Sequence, residues 1–138
     1  MSYKFVEDLT SDVMFEVEAR NLEELLEEAA LALFEVVCQR EKVEAKESVE
    51  IEVEGETPEE LLHNWLSALL TESDMREMFF SKFEVSVSKN GKFAAKGKAW
   101  GEPYSQEKSG TVVKGITYYG FKVEKTESGW RARVACDI

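Results

Sequence analysis

The chain has 138 residues, with 28 acidic against 17 basic side chains and a formal net charge of −11. That length fits one domain, able to bury roughly two thirds of its unfolded surface. Acidity this strong argues against a sequence-independent grip on phosphates, which needs clustered Lys and Arg, and toward a basic partner or a cation.

Residues 3–7 and 12–20 read as strands, the second alternating Val13, Phe15, Val17 and Ala19. Between them lies a bend, Asp8-Leu9-Thr10-Ser11-Asp12. Asn21 with Glu24 forms a capping signal, and Leu22, Leu25, Leu26, Ala29, Ala30, Leu33, Phe34 and Val37 follow at helical spacing. Glu23, Glu27, Glu28 and Glu35 fall mostly outside that stripe and read as a solvated face. Val49, Ile51 and Val53 mark a third strand, ended by Gly55.

Thr57-Pro58-Glu59-Glu60 opens a second helix whose buried face is Leu61, Leu62, Trp65, Leu66, Leu69 and Leu70. His63, the only histidine, lies off that stripe and reads as a surface or edge residue. After Met78, Phe79, Phe80 and Phe83 come two strands joined at Asn90-Gly91, the best hairpin turn in the chain. The polar run from Pro103 to Gly110 reads as an exposed loop. A last hairpin runs from Val112 to Lys125 and from Trp130 to Ile138, turning at Glu127-Ser128-Gly129. The pattern predicts one α+β domain over residues 1–138, two helices packed on a largely antiparallel β-sheet.

The N-terminus lacks an uninterrupted apolar core and no run is long enough to span a bilayer, so a cytoplasmic protein without membrane contact is expected. Cys38 and Cys136 show no metal-ligand spacing, and buried free thiols are expected.

Two readings of the acidic bend stand side by side. Asp8 and Asp12 serve as turn residues through their own backbone bonds, or they offer hard oxygen ligands to a cation. In the second reading, Asp137 and the terminal carboxylate meet them if the last strand lies beside the first. No phosphate-cradling loop, Gly-x-Ser-x-Gly elbow or His-Glu-x-x-His is present, so independent catalysis has little support. In Val113-Lys114-Gly115-Ile116-Thr117-Tyr118-Tyr119-Gly120, Lys114 points to solvent with the tyrosines filling the sheet face, or it balances charge near the carboxylates.

In order and spacing these motifs resemble the archease family, small acidic protein cofactors of RtcB-type tRNA-splicing ligases. Asp8-Leu9-Thr10-Ser11-Asp12 stands where the family has Asp/Glu-His-Thr-Ala-Asp. Val113 to Tyr118 is similar to its Val-Lys-Ala-Ile-Thr-Tyr signature, and Gly101-Glu102 and the closing Asp137-Ile138 also match. The resemblance implies a divalent cation, calcium or a similar hard ion, held by Asp12, Asp137 and the carboxylate of Ile138. It also implies partner contacts at Asp8, Glu102 and Lys114. Leu9 replaces the motif histidine and Tyr119 another, and loss of a residue that orients a ligand costs roughly ten- to a hundred-fold in metal affinity.

The function implied is activation of an RtcB-type RNA ligase in tRNA splicing, promoting ligase guanylylation and multiple turnover. The protein would not itself be an enzyme, and no direct sequence-specific nucleic-acid binding is expected. The alternative is a chaperone-like protein-binding module, suggested by the acidic surface and the aromatic cluster from Met78 to Phe83.

Overall fold

The alternating segments become strands and the capped segments helices in a computed structural model, which describes residues 2–6 and 12–138, the side chain of Tyr119 apart. The elements are β1 (Ser2–Val6), β2 (Val13–Ala19), α1 (Leu22–Val37), β3 (Glu47–Gly55), α2 (Pro58–Arg76), β4 (Met78–Asn90), β5 (Lys92–Pro103), β6 (Gly115–Thr126) and β7 (Gly129–Asp137). Every strand pairing among the described residues is antiparallel, as the α+β pattern predicts. The strands form two sheets, ordered β1-β2-β7-β6 and β3-β5-β4.

Both helices touch both sheets. α1 lies against β4 and β2, while α2 lies against β3 and β6. This placement explains why α1 is hidden on most of its circumference, with Leu25, Leu26, Ala29, Ala30, Leu33 and Phe34 fully buried. Trp65 ties the helices together, its Nε1–H donating to the Leu26 carbonyl at 3.0 Å.

The helix starts follow the sequence signals. Asn21 Oδ1 accepts from the Glu24 amide at 2.9 Å and Thr57 Oγ1 from the Glu60 amide at 3.1 Å. The Glu24 carboxylate reaches back one residue beyond the cap, accepting from the Arg20 backbone N–H at 3.0 Å and from its guanidinium at 2.6 Å.

Two acidic residues of α1 depart from the solvated reading. Glu27 and Glu23 accept from the Val85 and Val87 amides of β4 at 3.0 and 3.3 Å. β4 is a sheet edge, so these carboxylates satisfy donors that would otherwise template pairing with another chain. The sequence shows only the helical position of each glutamate, since the strand it serves lies about sixty residues away.

α2 runs on through Thr71-Glu72-Ser73-Asp74 and stops at Glu77, which adopts a left-handed conformation (φ 52°). Met78, Phe79, Phe80 and Phe83 are all buried. The aromatic cluster is therefore largely core, with Phe79 also lining a surface groove.

Candidate metal centre

β2 and β7 pair from Ala19↔Trp130 to Val13↔Cys136. One step further along that register stand Asp12 and Asp137. Asp12, at the start of β2, and the C-terminal end of β7 therefore converge at one end of the four-stranded sheet, whereas Ser2 of β1 lies beside Glu18 toward the other end. Facing positions on antiparallel strands hold their Cβ atoms about 5 Å apart, and like charges placed so repel. Cys136 is fully buried, and burial pushes its thiol up to about 12, with the negative charge of Asp12 adding to the effect. Asp12 is half-buried, and Asp137, the next residue after Cys136, is exposed.

On the other side of β7, Gly115 pairs with Asp137, and Thr117 pairs with Ala135 two positions on. A Cβ at Gly115 would have no atom within 4 Å, so the position beside Asp137 is open. Among the described residues no ion pair uses Asp137. Nor do three or more His, Cys, Asp and Glu side chains converge there. What the arrangement offers is carboxylate oxygen on two neighbouring strand ends, with room alongside. That all-oxygen chemistry fits a hard divalent cation better than zinc, whose sites are built mainly on His and Cys with carboxylates as additional ligands. Asp8 and Leu9 lie outside the described residues.

Lys114 is exposed, and its backbone N–H donates to the Asp137 carbonyl at 2.7 Å, so the segment before β6 is pinned to the acidic end. Glu102 has a different setting. It is 8 % exposed, and one carboxylate oxygen accepts from the Glu44 amide at 2.5 Å and from Lys108 Nζ at 2.8 Å. The Glu44 amide and then the Lys108 ammonium hold its carboxyl below the usual range. Its visible work is to anchor the run from Pro103 to Gly110. That run is not a free loop. Gly110 and Thr111 donate to the Val37 and Val36 carbonyls at 3.0 and 2.8 Å, satisfying the C-terminal end of α1.

His63 keeps the edge position its sequence suggests, but Tyr118 does not take the setting expected of it. His63 is half-buried, with Nε2 3.0 Å from the Ile116 carbonyl and its ring stacked on Tyr118 at 4.1 Å and 7°. Phe121 meets both rings edge-on. Tyr118 is 66 % exposed and does not fill the sheet face. The cause is an irregularity in β6, where five steps from Thr117 to Lys122 oppose two steps from Ala135 to Arg133. Gly120 (φ 70°) supplies the turn that this bulge needs. Periodicity two cannot reveal a bulge, although Gly120 after two tyrosines is its one local signal.

The Archease protein family (MTH1598/TM1083) matches residues 3–138. Protein archease of Pyrococcus abyssi is 42% identical over 133 residues, 94% of each chain. That of Methanopyrus kandleri is 40% identical over 132 residues, again 94% of each. The solution structure of Methanobacterium thermoautotrophicum protein 1598 superposes with a TM-score of 0.88 at 33% identity, covering 99% of both chains. A crystal structure of a Thermotoga maritima archease, described as a possible chaperone, shares the fold with a TM-score of 0.66 at 22% identity over 96% of this chain and 95% of that one. With the family pattern matched from the first strand to the final residue, and with relatives this similar over nearly their whole length, the chain belongs to the archease family.

Proposed function

We propose that this protein is a metal-binding protein cofactor that activates an RtcB-type RNA ligase in tRNA splicing, promoting ligase guanylylation and multiple turnover. It forms and breaks no bond of its own, and it acts in the cytoplasm. The observation that supports this reading is that Asp12 and Asp137 each stand one residue beyond the Val13↔Cys136 pair of the β2–β7 register, beside the open position at Gly115.

Asp12, Asp137 and the Ile138 carboxylate would hold the ion, calcium or another hard divalent cation. Such an ion supplies positive charge that polarises phosphate oxygens. The chain's own residues do the placing. The β2–β7 ladder fixes the two aspartates relative to each other, and the Lys114 amide holds the Asp137 backbone in line. A net charge of −11 favours encounter with a basic RNA-handling enzyme. Among the described residues no helix is long and apolar enough to cross a membrane.

The deciding experiment is multiple-turnover ligation by the purified ligase with and without this protein. Wild type is expected to raise turnover in a calcium-dependent manner, and Asp12→Ala or Asp137→Ala is expected to abolish the effect. Equal stimulation by Asp12→Ala would refute the metal-centre assignment. A wild-type protein that leaves turnover unchanged would refute the ligase reading.

A further inference from the structure

A groove of ≈ 580 Å³ runs between the last turns of α2 and the segment 109–114. Leu70 and Asp74 belong to its helix wall, Phe79 and Tyr104 lie in its lining with ring centroids 4.6 Å apart and planes tilted by 33°, and Val112 and Lys114 belong to the opposite wall. Val112 is 79 % exposed and Tyr104 44 %, although both are large apolar surfaces. Nothing in the mechanism above uses them.

We propose that this groove is the docking site for an extended segment of the partner protein that carries apolar side chains and a Lys or Arg. The proposal rests on the ligase reading and adds a second point of contact to it. Three features select this occupant. Residues 111–114 lie outside any strand, and among the described residues only the Thr111 and Lys114 amides in this stretch are bonded to other backbone, to the Val36 and Asp137 carbonyls. Of the two remaining amides, Val112 and Val113, consecutive N–H groups on an extended backbone point to opposite sides, so one of them is left as a donor to a chain laid in the groove, where main-chain bonds give affinity and side-chain pockets give specificity.

Charge gives the second feature. Asp74 and Lys114 are the charged residues lining the groove, and Lys114 leads to the acidic end at Asp137. A basic side chain reaching Asp74 would be paired, whereas an acidic one would meet a protein already at −11. Continuity is the third. Because Lys114 both lines the groove and donates its amide to Asp137, a strand laid along 109–114 arrives at the candidate metal centre. One partner surface can then engage both.

The test is the dissociation constant of the full-length protein for the purified ligase, measured beside the calcium-induced shift in melting temperature. Val112 and Asp74 are both exposed, so Val112→Asp and Asp74→Lys leave the fold intact. Each variant is expected to weaken ligase binding about tenfold or more, the scale of an interface anchor, while keeping the wild-type calcium shift. Wild-type affinity in both variants would overturn the groove and leave the ligase reading standing. Weaker binding accompanied by a lost calcium shift would also overturn it, since the effect would then run through Asp12 and Asp137. Failure of the wild-type protein itself to bind the ligase would remove the ligase reading and the groove's occupant together.

Discussion

Gly115 faces Asp137 across the β6–β7 ladder, and the point where its Cβ would lie has no atom within 4 Å. Its φ is not in the left-handed region, so a side chain there meets neither backbone strain nor a clash. Gly115→Val is therefore expected to fold normally, with the branched side chain occupying the space beside the Asp137 carboxylate. Calcium affinity should fall roughly tenfold, the scale of effect seen when the surroundings of a metal ligand are disturbed. The readout is the calcium-dependent rise in melting temperature, since an ion bound only by the folded form stabilises it. An unchanged rise would place the ion on the other side of Asp137.

Gly110 is needed for a different reason. A Cβ there would sit 2.5 Å from the Val36 carbonyl oxygen and 2.9 Å from the Cys38 amide nitrogen, both backbone atoms of the end of α1. Gly110→Ala should force the 108–111 segment off the helix and cost about 1–3 kcal/mol. Chemical denaturation measures the loss. Cys38 provides a local reporter, because burial pushes its thiol up to about 12 in the native fold. Faster modification of Cys38 by a thiol reagent in the variant is expected, with Cys136 unchanged.

How much of this was legible depended on the range of the interaction. Helix starts at Asn21 and Thr57 and the turn at Gly91 are local signals, and each element began where its signal stood. The free thiols and the approach of Asp12 to Asp137 were also readable, the latter from a family pattern and not from spacing. The division into two sheets was not, because strand alternation marks a buried face without saying which sheet it belongs to. Glu102 looked like a contact for a partner, and its engagement with Glu44 and Lys108 depends on a loop whose path no local rule gives. The same holds for Glu23, Glu27 and His63, each of whose partners is more than fifty residues away.

Trp65 joins three elements at one point. Its indole N–H bonds to Leu26 of α1, and its ring fills the space above Gly97 of β5, where a Cβ would lie 2.8 Å from the ring edge. Trp65→Phe removes the hydrogen bond and opens a cavity over Gly97. The expected cost is about 1–3 kcal/mol, read as a lower denaturation midpoint with an unchanged slope. A fall in the slope would instead report a loosened native state.

Glu27 links stability to pH through the edge it covers. Burial raises its carboxyl above the usual range, the Val85 amide opposes that, and the neighbouring charges of Glu84, Glu24 and Glu23 add to the rise. A native-state pKa raised above the unfolded value gives stability that is fully present below the unfolded pKa. That stability is lost as pH rises through the native one. Glu27→Gln keeps an oxygen that can accept from Val85 and removes the buried charge. It should be at least as stable as wild type at pH 7, with the advantage vanishing below about pH 4, where an ordinary Glu is protonated. Glu27→Ala should be less stable than Glu27→Gln at both pH values. It leaves the Val85 donor on an open strand edge, costing about 1–3 kcal/mol, and it should promote self-association visible by light scattering. Urea denaturation of both variants at pH 4 and pH 7 separates the two effects. If Glu27→Gln were less stable than wild type at pH 7, the carboxylate's bond to Val85 would outweigh the cost of burying its charge.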